Sequence, residues 1–494
     1  MAEARSAALT PAEARRAERF LALEGISGQA TSSLAGGTFV IAYALLLGAD
    51  ALTIGLLAAL PTLANVCNLV SIFLVRRVGR RRPVVVAAEG IGRAALVVLG
   101  AVTLLTSGSA ALALTIPLLA VRYFVGASGG GGFASWIRDA VPDERRAVFL
   151  GRRLSYMQGT GIALGLGVGV ALDYVKANHP GLELSAYSVL FIAAGVCGWA
   201  GVILLMRTPE PRMAPINLRA SQLLSLPFRH RNFRRLIAYM ASWNVTINLA
   251  APFFTVYMLS QLGLSLTAVM ALTTLNQLVM IVAIRRWGGF GQRYTNRAIL
   301  RVCIPVMLAT LLGWTFVTLP NFGQYSYVVL VLVHITGGIA LAGINLASNN
   351  IGYTLAPRDN SVAYLSTLAL TNALAAGLAP ILGGALASYF AARELRVTLD
   401  WIDPSGADAF TAFQVQGWDF FFLIAFCLGW VAWGLLGRVA EVAAKPDEEL
   451  LLELQRRAAD RWQSFGSYAG IDLLTRRLPG KRGRVRKPAA IETH

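Results

Sequence analysis

The stretch Phe39-Val40-Ile41-Ala42-Tyr43, with Gly48 soon after it, returns later as Phe253-Phe254-Thr255-Val256-Tyr257 followed by Gly263. The aromatic pair recurs at an offset of 214 residues and the glycine at 215. A second echo stands at the same distance. Val141-Pro142-Asp143-Glu144, with Ala147, Phe149 and Leu150, matches Ala356-Pro357-Arg358-Asp359, with Val362, Tyr364 and Leu365. Two parallel copies of one unit, in segments too apolar for water, indicate a duplicated membrane protein. The competing explanation is chance similarity among helices rich in Leu, Ala and Gly, so composition and charge have to decide.

Composition favours the membrane. The chain of 494 residues is 56% hydrophobic and only 14% charged, with mean hydropathy +0.58, outside ordinary soluble composition. Windows of about 20 nearly uncharged residues recur along it. The first copy holds six: Ile26 to Leu47, Thr53 to Val75, Val84 to Leu105, Leu112 to Trp136, Leu154 to Leu172 and Tyr187 to Met206. The second holds six more: Leu236 to Leu259, Leu266 to Ile284, Ala298 to Leu319, Tyr327 to Asn350, Val362 to Phe390 and Phe420 to Leu436. Lipid offers no partner for a free backbone N–H or C=O, so each window must be a helix. The expected fold is an all-α membrane protein of twelve transmembrane helices in two pseudo-symmetric six-helix halves.

A formal charge of +18 suggests a nucleic-acid partner until the basic residues are placed. Of 44 Lys and Arg, 39 fall on one side of the twelve spans. Lys176, Arg393 and Arg396 fall on the other, and Arg93 and Arg122 lie inside spans. The positive-inside rule then puts both termini in the cytoplasm and leaves nothing for nucleic acid. The expected units are a cytoplasmic tail with a short helix (1–25), the first half (26–206), a central loop (207–235), the second half (236–437) and a basic tail (438–494). Thr10-Pro11-Ala12-Glu13 has the pattern of a capping box with proline at the first helical position. No cleavable signal is expected there. Pro446 to Trp462 reads as an amphipathic helix, and the cluster Arg476 to Lys487 reads as a solvated tail or a contact for anionic headgroups.

Catalytic chemistry finds no material. Cys67, Cys197, Cys303 and Cys427 all fall in spans and read as packing residues. No CxxC, HExxH or phosphate loop is present, so neither a metal nor another cofactor is expected, and the protein is not expected to be an enzyme.

At this point the chain resembles the major facilitator superfamily over nearly its whole length. Arg76-Arg77-Val78-Gly79-Arg80-Arg81 is similar to that family's loop after span two, with Arg76 where the family has Asp. Arg122-Tyr123-Phe124-Val125-Gly126 resembles its span-four arginine followed by glycine, and Asp139 to Arg146 resembles its element after span four. Gly377-Leu378-Ala379-Pro380, with Gly383 and Gly384, resembles its Gly/Pro-rich helix; span five keeps only glycines, including Gly159, Gly161, Gly165, Gly167 and Gly169. The resemblance implies a secondary active or facilitative transporter of a small solute in the cytoplasmic membrane. It implies rocker-switch alternating access and, we expect, a monomer among lipids. Arg76, Arg77, Arg80, Asp139 and Arg146 are the expected gating residues. Gly377, Pro380, Gly383 and Gly384 are expected to pack closely, either as a hinge or as a static contact.

Ionisable side chains in lipid are costly and point to function. Glu89 and Arg93, four apart with the acid first, share a helix face and form either a structural pair or a proton-coupling site. Arg122 has no acid in its own helix, so its expected partner is Glu89, helix carbonyls or an anionic solute. In the family the cavity is lined by spans one, four, seven and ten. These offer Thr38 and Tyr43, then Arg122, then Asn244, Asn248 and Tyr257, then His334, Asn345 and Asn349. The two Asn pairs each lie one turn apart, and amides both donate and accept, which suits a neutral polar or zwitterionic solute. Protons are one coupling option; facilitation or export without them is the other. A non-transporting assembly or scaffold factor on the same fold is the alternative function.

Overall fold

In the computed structural model, residues 9–212, 226–315, 317, 325–357, 360–403, 406–441, 450 and 452–456 are described. Residues 213–225 of the central loop, Arg358 and Asp359 of the second echo, and the Arg476 to Lys487 cluster lie outside the described residues. So does most of the Pro446 to Trp462 segment.

All twelve expected spans coincide with helix. Span one opens at the capping box: the Glu13 N–H donates to Thr10 Oγ1 at 3.3 Å, and the Thr10 N–H donates to Glu13 Oε2 at 2.9 Å. The helix then runs without interruption over Pro11–Leu34, so the expected division between a tail helix and span one at residue 25 is absent. Its cause is packing. Ala17 and Leu21 are buried against Val85, Trp136, Phe149 and Leu205, which draws the tail helix onto the first half. After a break at Ala35-Gly36 the span finishes as Gly37–Leu46.

Span two starts where the Asp50 carboxylate accepts the Thr53 N–H at 2.9 Å. It covers Ala51–Leu63, tightens into a 3-10 turn over Ala64–Cys67 and resumes as Asn68–Val78. Pro61 inside the first segment has no N–H to give its helix, and a tightened turn just beyond it is the local repair. Spans three to six are Arg81–Leu105, the composite of Gly108–Ala120, a π turn at Val121–Val125 and Gly130–Ala140, then Asp143–Asn178 and Glu183–Arg207. Spans seven to twelve are Arg231–Val256, Leu266–Gly291, Asn296–Thr315, Tyr325–Leu355, Ser361–Phe390 and Trp418–Leu436. Ten of these helices are long and apolar enough to cross a membrane individually. Span one misses that standard because it is broken; span seven carries Ser242, Asn244, Thr246 and Asn248 within its apolar run.

The duplication is visible in the caps. Asp50 at the start of span two corresponds to Ser265, whose hydroxyl accepts the Ala268 N–H at 3.2 Å at the start of span eight. Glu210 accepts the N–H groups of Arg81 (2.6 Å) and Arg82 (3.1 Å) at the start of span three. Glu441 does the same for Arg297 N–H (2.9 Å) and Asn296 Nδ2 (2.8 Å) at the start of span nine. Helix ends leave N–H groups without partners in both halves, and both halves solve this at the same places.

One element was not foreseen. Between spans eleven and twelve, β1 (Glu394–Asp403) pairs antiparallel with β2 (Gly406–Gln416), with a register shift at Val397/Thr398.

Candidate functional site

The halves meet chiefly along two pairs of helices, two with eleven and five with eight, with a lighter contact of span seven on spans one and two. Both contacts depend on small residues. A Cβ at Gly55 would collide with the Pro380 carbonyl, one at Gly384 with the Ala51 carbonyl, and one at Gly377 with Leu63. Gly383 instead lets span eleven approach Leu249 and Phe253 of span seven. All four expected packing residues therefore sit at close helix contacts. On the other side of the interface Gly169 lies against Thr267, and Asp173 of span five reaches the first turn of span eight. Its carboxylate accepts Leu266 N–H at 3.0 Å, Thr267 N–H at 2.7 Å and the Thr267 hydroxyl at 2.5 Å. A negative charge on the unpaired N–H groups of a helix start is a favourable cap, here joining one half to the other. Sequence reasoning missed Asp173, although an acid near the end of a glycine-rich span was there to be noticed.

Further along the same interface, toward the arginine-rich end, the helices part around a cavity of about 540 Å³. Its polar lining is Thr62, Asn65 and Asn68 from span two, Asn244 from span seven, and Ser366 and Asn372 from span eleven. A smaller cavity of about 230 Å³ lies among Thr38, Ile41, Pro61, Tyr123, Pro252 and Thr255. Thr38 and Asn244 are the expected residues that line these two cavities. Asn65, Asn68 and Asn372 were missed because the family resemblance puts the cavity lining in spans one, four, seven and ten, whereas these residues stand in spans two and eleven.

The remaining expected ligands stand elsewhere. Tyr43 is fully buried within the first half, its hydroxyl 2.9 Å from Thr103 Oγ1 and its ring on Tyr187 and Phe191. Tyr257, its equivalent, is packed with Trp314, Trp418 and Phe422. The recurrent aromatic pair therefore fills two equivalent cores, which explains why the duplication kept it. His334 is buried beside Trp314 with Nδ1 2.7 Å from the Leu330 carbonyl. Asn248 Nδ2 donates to the Asn244 carbonyl at 2.9 Å. Asn345 and Asn349 are exposed. Arg122 is half-buried in the π turn of span four, its guanidinium carbon 5.7 Å from the Tyr123 ring. Pro117 precedes that turn, and the wider winding follows the lost hydrogen bond. Its neighbour Tyr123, not Arg122 itself, lines the smaller cavity, and Arg122 has no carboxylate partner among the described ion pairs.

Glu89 and Arg93 do pair, Nε to Oε2 at 3.1 Å, but they are not alone. Arg93 also reaches Glu24 at 3.4 Å and the Gly198 carbonyl, and Glu24 binds Arg153 at 2.8 Å. Two carboxylates and two guanidiniums thus join spans one, three and five inside one half, with Glu24 and Arg93 buried.

The expected gating residues behave likewise. Asp139 is held by Arg138 at 2.9 Å and by the buried Arg81. Arg146 pairs with Asp143 and donates to the Arg138 carbonyl at 2.7 Å. Arg80 is 3.8 Å from Glu210, and Arg76 and Arg77 are exposed. Each of these described pairs lies within the first half or ties it to the start of the central loop at Glu210, so in this conformation the cluster braces one half rather than bridging two. Arg81, not Arg76, is its buried member, and the acid beside the arginines of this loop is Glu210.

Two six-helix bundles enclosing a cavity on their pseudo-symmetry interface define a class of membrane transport proteins. Residues 25–380 match the Major Facilitator Superfamily, and the chain belongs to that family. Its fold is similar to a mutant of the nucleoside transporter NupG, at TM-score 0.63 and 15% identity, covering 86% of this chain and 100% of that one. It is similar to a D-xylose-proton symporter at TM-score 0.62 and 15% identity, covering 86% and 98%. A bacterial homologue of the human lysosomal transporter Spinster, inward-facing and unoccupied, is similar at TM-score 0.57 and 16% identity, covering 77% and 84%. No curated protein matches the chain by sequence.

Proposed function

We propose that this multi-pass membrane transporter carries a small solute across the cytoplasmic membrane by rocking its halves about the packed contacts of spans two, five, eight and eleven. Both termini and the arginine-rich end face the cytoplasm. The conformation is then the inward-facing one, sealed at the Asp173 end and parted around the larger cavity. The observation that carries this reading is that single interface: hydrogen-bonded across the halves at one end, hollow toward the other. A moving interface must be breakable, and a few exposed or capping contacts of about 1 kcal/mol each suit that role.

Glu89 serves as a partner of Arg93 in the bracing network, and coupling to protons does not pass through it. Arg122, the span-four charge without a carboxylate partner among the described residues, acts on solute passing beside Tyr123. Replacing it tests the reading: Arg122→Ala is expected to reduce solute flux in proteoliposomes by an order of magnitude or more while leaving expression and thermal unfolding near those of the parent. Equal flux by the variant would remove Arg122 from the pathway, and no flux by the parent for any solute would contradict the transport reading.

A further inference from the structure

We infer that the larger cavity, at the break of span two, binds a solute that carries no charge and several hydroxyl, carbonyl or heterocyclic nitrogen groups. This rests on the transporter reading and narrows it to a solute class. Four carboxamides converge there, Asn65, Asn68, Asn244 and Asn372, and no ionisable side chain lines the cavity among the described residues. A carboxamide offers both donors and an acceptor at no charge, so the set matches groups that both give and take hydrogen bonds. An ion or a zwitterion would have to shed water there with no opposite charge to receive it. The same argument sets aside the zwitterion that the spacing of asparagines alone permits.

The backbone supports a site at this place. Membrane helices tolerate irregular winding where they line a cavity, and interrupted helices supply polar groups to solute sites. Asn65 lies within the 3-10 turn of span two and Asn68 directly follows it. Asn68 Nδ2 donates to the Asn65 carbonyl at 3.0 Å. Asn244 Nδ2 donates to Met240 O at 2.8 Å, and since an amide nitrogen carries two N–H groups, each side chain keeps a second donor and its oxygen to offer. Asn372 lines the cavity, and its Oδ1 is buried with no hydrogen-bond partner among the described residues, a carbonyl that a turn of the side chain would present to a donor. Leu69 and Leu370 add apolar wall between these amides, a surface for the face of a sugar ring or a base. The volume of about 540 Å³ falls in the range of small-molecule sites.

The test uses the full chain in proteoliposomes with three sets of probes: xylose, sorbitol and uridine; glutamate, lysine and citrate; and betaine. The expected result is counterflow of at least one probe of the first set and none of the others. Asn244→Ala and Asn372→Ala should each raise the KM for that probe about tenfold, as loss of one hydrogen bond in a dry site does. Asn65→Ala, at an exposed position, gives the same readout where either of those fails to fold. Movement of a charged probe or betaine in preference to the first set overturns the solute class and leaves the transporter reading standing. An unchanged KM in every folded variant removes the amides from the site. No movement of any probe defeats both readings together.

Discussion

The two halves share a frame and differ in what fills it. Glu210 and Glu441 cap spans three and nine alike, Asp50 and Ser265 cap spans two and eight, and Tyr43 and Tyr257 occupy equivalent cores. Inside that frame the first half buries Glu18, Glu24, Arg81 and Arg93, whereas the buried polar residues of the second half among those described are threonines and His334. Its space is taken by rings: Phe254 stacks on Trp314 at 4.6 Å and on Phe422 at 5.4 Å. Duplication thus preserved the places where a helix end must be satisfied, because any half built this way has the same N–H groups to satisfy. The filling was free to diverge. A buried ion network does not tolerate the loss of a fully buried member, since the charge left behind has nowhere to go; an aromatic cluster needs only volume and shape.

That contrast is open to direct attack. Arg93→Met keeps side-chain bulk but takes from Glu89 its described partner and leaves Glu24 with Arg153 alone, and should cost about 3–5 kcal/mol, read as a large fall in thermal unfolding midpoint or loss of folded protein. Phe422→Leu in the second half, an equally modest change of shape, should cost only about 1–2 kcal/mol by the same measurement. Comparable losses at the two sites would end the distinction. A smaller effect is expected at the seal: Asp173→Asn removes the charge from the start of span eight. It should move the balance toward an opened seal by about 1 kcal/mol, roughly fivefold in the ratio of states, seen in distances between spin labels on spans five and eight. The smallest is expected from Glu89→Gln, because Arg93 keeps Glu24 and the Gly198 carbonyl. Stability should fall by less than about 1 kcal/mol and the pH dependence of flux should stay as it was; a lost pH-driven accumulation would make Glu89 a proton carrier after all.

Much of the fold was legible because lipid permits so little. A run of apolar residues in a membrane must be helical, and the 214-residue echo fell on cores that both halves need. The hairpin at 394–416 was passed over because its signal has another period: Leu395, Val397, Leu399 and Trp401 alternate with Glu394, Arg396, Thr398 and Asp400. The site was legible only in part. Thr38 and Asn244 stood in spans expected to face solute. Asn65 and Asn68 stood beside Pro61, and a proline-interrupted span is the pointer that should have drawn attention to them. Glu24 and Arg153 were placed at span ends, where charges look solvated; what buries them is the extension of spans one and five as long helices, a tertiary fact no local pattern carries. Arg93 had one visible partner, Glu89, although a guanidinium has five donors to satisfy.

Rocking of the halves is tested most directly by locking the seal. In a background without Cys67, Cys197, Cys303 and Cys427, the pair Asp173→Cys and Thr267→Cys places two thiols where a carboxylate now meets a hydroxyl at 2.5 Å. Oxidation to the disulfide should abolish solute flux in proteoliposomes, and reduction should restore it. Undiminished flux through the cross-linked protein would show that solute crosses without the seal opening, and alternating access between these halves would be wrong.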